Sequence, residues 1–162
     1  MTSPRAPQLA PMTRTQIVMV AAGGSALLLL GAWMFQMIGY APCKMCIWQR
    51  WPHAVAFVIG VCFFALPHRA TALLGALAAA TTAAIGLFHA GVEQKWWEGP
   101  SDCTGSGIGN LSGEALLSLD TADTVVMCDE IAWQLAGLSM AGWNAVISLF
   151  LMALWIVAAR RS

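Results

Sequence analysis

The stretch Cys43-Lys44-Met45-Cys46-Ile47-Trp48-Gln49-Arg50-Trp51-Pro52-His53 runs without a break into the apolar segment from Ala54 to Leu66. Ala54 to Leu66 alone is too short to cross a hydrocarbon core of about 30 Å, which takes about 20 residues of α-helix. Counting back about 17 to 20 residues from Leu66 reaches Arg50 or Ile47. The helix has to take in part of the polar stretch, and this sets Cys43 and Cys46 at the membrane surface.

Composition points the same way. Hydrophobic residues make up 59% and charged residues 10% of the 162, with a mean hydropathy of +0.69. That leaves too little polar surface to cover a soluble globule of this size. Three further segments approach the length of a span. The expected fold is an all-α, antiparallel four-helix membrane bundle, one integral domain over 1–162, with spans over about 17–40, 47–66, 71–88 and 142–159. Residues 1–16, with Pro4, Pro7 and Pro11, read as a tail, and 89–141 as a long loop. Arg14 precedes the first span and Gly39-x-Ala41 loosely fits a cleavage site. The apolar run nevertheless exceeds the roughly 7–15 residues of a signal sequence, so it reads as a retained helix.

Four spans place both termini on one face and the loops after the first and third spans together on the other. Both cysteine pairs, Cys43 with Cys46 and Cys103 with Cys128, then share a compartment. Arg5, Arg14, Arg69, Arg160 and Arg161 lie on the terminal face, against Lys44, Arg50 and Lys95 opposite. This bias favours cytoplasmic termini, and the loops would face an oxidising compartment in which disulfides persist. All eight acidic residues fall between positions 93 and 130, so zero net charge conceals an acidic loop and a basic remainder. Nothing in this distribution resembles a nucleic-acid footprint. Trp48, Trp51, Trp96, Trp97 and Trp143 gather near the outer ends of the spans and Trp155 toward the inner end, a pattern read as an aromatic belt.

The long loop has its own organisation. Gly99 to Gly113 contains five glycines together with Pro100 and Ser101, which puts Cys103 on a pliable segment. Beyond Cys128, the spacing of Ile131, Leu135 and Leu138 predicts a short amphipathic helix lying in the interface. Cys128 is thereby tethered near the membrane.

A helix beginning near Cys46 aims unpaired backbone N–H groups at the sulfurs and favours thiolate, the reactive form. Arg50, one turn on, adds a permanent positive charge and donors that suit a carbonyl oxygen of a bound acceptor; the alternative is an interfacial anchor. His53 reads as a packing or capping partner, His68 as a loop residue without chemistry and Cys62 as an inert buried thiol. His89, at the outer end of the third span, is a candidate for passing protons.

Three readings of the cysteine quartet remain open on the residues alone. A four-cysteine metal site usually has two close pairs, whereas 24 residues separate Cys103 from Cys128. A bridge between Cys103 and Cys128 would contribute about 3.5 kcal/mol by loop entropy, whether it is a structural staple or a catalytic bond. The third reading, redox exchange, is favoured by CxxC at a helix start beside an arginine.

Pro42-Cys43-Lys44-Met45-Cys46-Ile47-Trp48-Gln49-Arg50-Trp51-Pro52, with Cys128-Asp129-Glu130-Ile131-Ala132-Trp133 and Leu138-Ser139-Met140-Ala141-Gly142-Trp143, closely resembles the disulfide bond formation protein B (DsbB) family of bacterial inner membranes. The resemblance implies a quinone-dependent thiol oxidase. A DsbA-like periplasmic partner would attack the Cys103–Cys128 disulfide at Cys103, and electrons would pass through Cys128 and Cys43 to Cys46. It further implies that Cys46 faces a quinone, ubiquinone or menaquinone, that Arg50 binds it and that His89 lies near it. Lys44-Met45 replaces a more apolar pair, and Gln49 replaces an acidic neighbour found in some relatives. Two other classes compete. A vitamin K epoxide reductase-like enzyme also has four helices and loop cysteines but carries its CxxC late in the chain, and a nonenzymatic scaffold would hold a stapled loop.

Overall fold

The computed structural model describes residues 12–101, 103–104 and 126–161. The glycine-rich stretch after Thr104 and most of the expected tail lie outside the described residues. Among the described residues, four long helices carry the fold: α1 Arg14–Met37, α2 Lys44–Ala65, α3 Arg69–Glu93 and α4 Met140–Arg160. A local signal starts each one. Thr13 Oγ1 accepts from the Gln16 N–H at 3.3 Å while Gln16 Oε1 accepts from the Thr13 N–H at 2.8 Å, a capping box that begins α1 at Arg14 rather than Ile17. The helix stops at Met37 rather than Tyr40, and Gly39 turns the chain with φ +105°. Cys43 Sγ caps α2 by accepting from the Cys46 N–H at 3.2 Å. His68 Nδ1 accepts from the Ala70 N–H at 3.2 Å at the start of α3, and Ser139 Oγ from the Gly142 N–H at 3.1 Å at the start of α4.

The helices touch in the cyclic order α1–α2–α3–α4. Gly60 and Arg50 of α2 meet Ala22 and Ala32 of α1, while Gly75 and Gly86 of α3 meet Trp155 and Ala145 of α4. Both pairs therefore run antiparallel. Small residues make the approach possible, among them Ala21 and Ala22 on α1, Ala72, Ala76 and Ala79 on α3, and Ala158 on α4, all buried. Large apolar side chains point outward instead: Leu27 is 69% exposed, Leu77 63% and Phe150 60%. This inverted pattern suits helices whose solvent is hydrocarbon, where backbone polar groups are satisfied within each helix. Helices α1, α3 and α4 are long and apolar enough to cross a membrane. In α2 the polar residues Lys44, Gln49, Arg50 and His53 fill the first three turns, ahead of the apolar remainder.

Three expectations are corrected. The segment over 131–138 is not an amphipathic helix: Gln134–Leu135 (β1) and Leu138–Ser139 (β2) form an antiparallel hairpin, pairing Gln134 with Ser139 and Leu135 with Leu138. Ala136 and Gly137 both take positive φ, 52° and 81°, the geometry of a two-residue hairpin turn, and this breaks a helical reading of the apolar spacing. Trp155 is no belt residue but sits fully buried in the core, filling space left by the glycine and alanines of α3. Cys62 is exposed on the outer face of α2 rather than buried.

A Cβ added at Gly75 would lie 2.5 Å from Trp155 Cδ2, against a rigid ring with no room to move. Gly75→Ala is expected to cost about 1–3 kcal/mol by overpacking, seen as a lower melting temperature in detergent. Trp155→Leu in the same chain should recover part of the loss. Equal melting of Gly75→Ala and the parent would contradict this packing.

Candidate functional site

Helix α2 builds the first half of the site from its own opening turn. Cys43 is the cap and Cys46 lies three residues on, so both sulfurs fall on one face, 2.9 Å apart, with the Cys43 thiol donating to Cys46 Sγ. Cys43 is buried and Cys46 half-buried. That hydrogen bond is the largest influence holding the Cys46 thiol below its ordinary range. A backbone bond at Cys43 and the charge of Arg50 add to it, while burial and Glu93 oppose it. The Cys43 thiol is pushed well up by the same bond, by burial and by the charge of Cys46. A reduced pair therefore keeps its proton on Cys43 and its negative charge on Cys46. Of the opening amides expected to point at the sulfurs, that of Cys46 donates to Cys43 Sγ at 3.2 Å.

Behind the pair lies a buried polar network. His89 on α3 is 2% exposed, with Nε2 3.5 Å from Cys43 Sγ and Nδ1 2.9 Å from Gln49 Nε2. Gln49 also donates to the Met45 carbonyl at 3.2 Å and accepts from Asn144 Nδ2 at 2.7 Å. Asn144 Oδ1 lies 2.8 Å from His53 Nε2, and Thr82 Oγ1 donates to the Gln49 carbonyl at 3.1 Å. Glu93 Oε1 stands 3.9 Å from His89 Nε2, and the Ser139 hydroxyl donates to Glu93 Oε2. The network joins α2, α3 and α4 at one end of the bundle.

The loop pair is delivered to this end. Cys103 and Cys128 form a disulfide with a Cα–Cα distance of 5.3 Å. Cys103 sits in a turn that its own N–H closes onto the Pro100 carbonyl at 3.0 Å, and Thr104 Oγ1 holds the same turn through the carbonyls of Gly99 and Pro100. Cys128 is held by its N–H to the Cys103 carbonyl and by the neighbouring Asp129–Lys95 ion pair. Both sulfurs are buried and pack with Cys43 and Met45 in a single cluster. Cys103, expected on a pliable segment, is thus 2% exposed. Since Cys103 and Cys128 are bridged to each other, the four cysteines do not form one metal centre. Cys43, Cys46 and His89 still bring three ligand atoms within 4.8 Å.

A cavity of about 380 Å³ opens beside Cys46, lined by Leu28, Ala32 and Phe35 of α1 and by Ala141 and Ile147 of α4, with Gln49, Arg50 and His89 supplying polar groups. Its size and its mostly apolar wall with a few polar groups are those of a small-molecule site. Arg50 lies on this wall, but its guanidinium reaches across to α1, donating to Gln36 Oε1 at 3.0 Å and to the Ala32 carbonyl at 3.4 Å. The mostly apolar wall with the Arg50 guanidinium on it is chemically suited to an apolar ring that carries hydrogen-bond-accepting oxygens.

All six candidate residues converge on one end of the bundle. His53 is a packing partner of Asn144 and Ser148. The residues unrecognised in the sequence are Gln49, Asn144, Glu93 and Gln36. A polar side chain within an expected span was the signal for Gln49 and Asn144, since intramembrane polar groups need partners on other helices.

The family model for disulfide bond formation protein DsbB matches residues 14–158. A relative described as disulfide bond formation protein B, from Stutzerimonas stutzeri (strain A1501), is 29% identical over 161 residues, covering 88% of this chain and 93% of the relative. No solved structure gives a significant match. With three span-length apolar helices, a disulfide and a CxxC pair packed together, and a family match over nearly its whole length, the chain belongs to the DsbB family of multi-pass membrane proteins that act in disulfide bond formation.

Proposed function

We propose that this protein reoxidises a DsbA-like periplasmic dithiol and passes the two electrons to a membrane quinone, ubiquinone or menaquinone. The observation that carries this reading is the packing of the Cys103–Cys128 disulfide directly against Cys43, with Cys46 at the rim of an apolar cavity.

In the proposed relay a partner thiolate attacks Cys103 Sγ and the Cys128 thiolate leaves. The second partner thiol then displaces Cys103, so that the partner leaves oxidised and Cys103 and Cys128 hold both electrons. The reduced Cys128 attacks Cys43 of a Cys43–Cys46 disulfide, and Cys103 resolves the mixed bond, leaving the Cys46 thiolate and the Cys43 thiol. The burial of Cys103 means that the partner has to displace the turn over Pro100–Thr104 to reach it. A quinone, when bound, supplies the acceptor for two electrons and two protons. Cys46 at the cavity rim would meet it, Arg50 would offer it a cationic donor, and the helix walls would exclude water.

The same reading makes α2 a fourth span, running from Cys43 at the periplasmic surface of the bacterial inner membrane, with both termini cytoplasmic. A cationic cluster of Arg14, Arg69, Arg160 and Arg161 around His68 lies at the opposite end from the cysteines and supports that orientation.

Cys46→Ser is expected to reduce quinone-linked oxidation of a reduced thioredoxin-like partner by more than about 100-fold, while Cys62→Ser leaves it unchanged; an undiminished rate in Cys46→Ser would support a stapled scaffold instead. Arg50→Met should raise KM for a short-chain quinone about tenfold, the loss of one charge-assisted hydrogen bond, and an unchanged KM would remove Arg50 from the binding wall. The pH dependence follows from the lowered Cys46 thiol. Its thiolate persists below the ordinary value of 9.0, so alkylation of the reduced protein by iodoacetamide should label Cys46 before Cys43. Labelling of Cys46 should fall away only at a pH lower than for a free thiol, and preferential labelling of Cys43 would reverse the assignment.

A further inference from the structure

The polar network behind Cys43 has a direction that its own geometry determines. A backbone carbonyl can only accept, so the Gln49 atom 3.2 Å from the Met45 carbonyl is the amide nitrogen. The other half of the amide agrees: Gln49 Oε1 accepts from Asn144 Nδ2 at 2.7 Å, which leaves Asn144 Oδ1 as the acceptor for His53 Nε2 at 2.8 Å. The Gln49 nitrogen is also the atom 2.9 Å from His89 Nδ1. An N–H donor aimed at Nδ1 requires a lone pair there, and a neutral imidazole then carries its hydrogen on Nε2. The surroundings of Nε2 say the same, because Cys43 Sγ at 3.5 Å and the Glu93 carboxyl at 3.9 Å are both acceptors. The Cys128 backbone beside the ring also favours a proton on the imidazole.

We propose that Gln49 is a positioning residue that locks His89 as the Nε2–H tautomer, making the ring a fixed hydrogen-bond donor between Cys43 and Cys128 rather than a base. The role rests on the proposed thiol relay. As sulfur–sulfur bonds exchange between these two loops, Cys43 alternates as nucleophile and leaving group, and in both directions negative charge gathers on its sulfur. A permanent Nε2–H stabilises that charge without itself titrating, because an added proton on Nδ1 would face the Gln49 N–H. The same lock withholds the Nε2 lone pair from a metal ion, so the juxtaposition of Cys43, Cys46 and His89 is a thiolate cradle and not a ligand set. Among the described residues, the other titratable groups lining the cavity with the ring are Cys46, Arg50 and His53 on α2, Glu93 on α3, and Glu130 and Tyr40 on the loops; His53 meets the network through Asn144, and α4 contributes no titratable group there.

Replacing Gln49 by glutamate reverses the polarity. A carboxylate accepts from Nδ1–H, so Nε2 keeps its hydrogen only while the ring is an imidazolium and becomes a lone pair once it is neutral. Donation to Cys43 is then present at low pH and lost as pH rises. The test uses the full chain in nanodiscs with 15N-labelled histidine, the His89 signals being identified by their loss in His89→Asn. Wild type should show a neutral Nε2–H ring from about pH 5.5 to 8.5, whereas Gln49→Glu should titrate to an Nδ1–H ring across that window. If Gln49→Glu fails to fold, Gln49→Met should give a mixture of tautomers, and the wild-type spectrum alone remains decisive. A wild-type ring that is Nδ1–H or charged at neutral pH, or a His89 spectrum unmoved by either replacement, would overturn the lock. The second reading is oxidation of a reduced thioredoxin-like partner with excess short-chain quinone. The ratio of the Gln49→Glu rate to the wild-type rate should fall roughly tenfold from acid to alkaline pH; a flat ratio would overturn the donor role. Absence of any partner oxidation by the wild type, with the tautomer locked, would instead refute the proposed relay and leave the lock standing.

Discussion

The Gln49 amide holds three helices together at the end of the bundle where the chemistry sits. From α2 it bonds its own Met45 carbonyl, His89 on α3 and Asn144 on α4, while its backbone carbonyl accepts from Thr82. Pro52 cannot donate to the Trp48 carbonyl, so this stretch of α2 is where the helix ladder is weakest. In a water-poor interior each of these polar groups would be costly if unpaired. Their mutual satisfaction fixes the rotation of α2, and with it the direction in which the Cys43 and Cys46 sulfurs point.

The rest of the bundle follows a different rule. Away from the polar end the helices approach through alanine and glycine, and Trp155 fills the space that those small residues leave. Large apolar side chains are sent outward because lipid solvates them as well as a protein core would. A tightly packed half and a polar half in one bundle let the site open a cavity between α1 and α4 without loosening the fold. Arg50 props that opening by reaching to Gln36 and the Ala32 carbonyl on α1.

The long loop is coupled to the bundle at discrete points. Lys95, with φ +60° just past α3, pairs with Asp129 beside Cys128. The hairpin closed by Ala136 and Gly137 brings Ser139 to Glu93 and the Leu135 carbonyl to the Trp143 indole, 3.0 Å away. These contacts bury the Cys103–Cys128 bond beside Cys43, so that in the proposed relay disulfide exchange is a reaction between neighbours.

Much of this was legible in one dimension. Hydropathy determined a helical membrane protein, since a bilayer imposes its thickness directly on sequence, and the length of the run ending at Leu66 predicts Cys43 and Cys46 at the surface. CxxC ahead of Arg50, with two cysteines in one polar loop, favoured redox exchange over a metal site or a structural staple. The hairpin at 134–139 was not legible, because Ile131, Leu135 and Leu138 satisfy a helical period as well as a broken one, and only the positive φ of Ala136 and Gly137 decides between them. Trp155 and Cys62 exchanged their expected environments because hydropathy does not say which face of a helix meets lipid. What the tertiary structure alone decided is the partnership of Gln49, His89 and Asn144. Hydrogen bonds between helices depend on side-chain directions at residues 40 to 95 positions apart, and no local pattern records them.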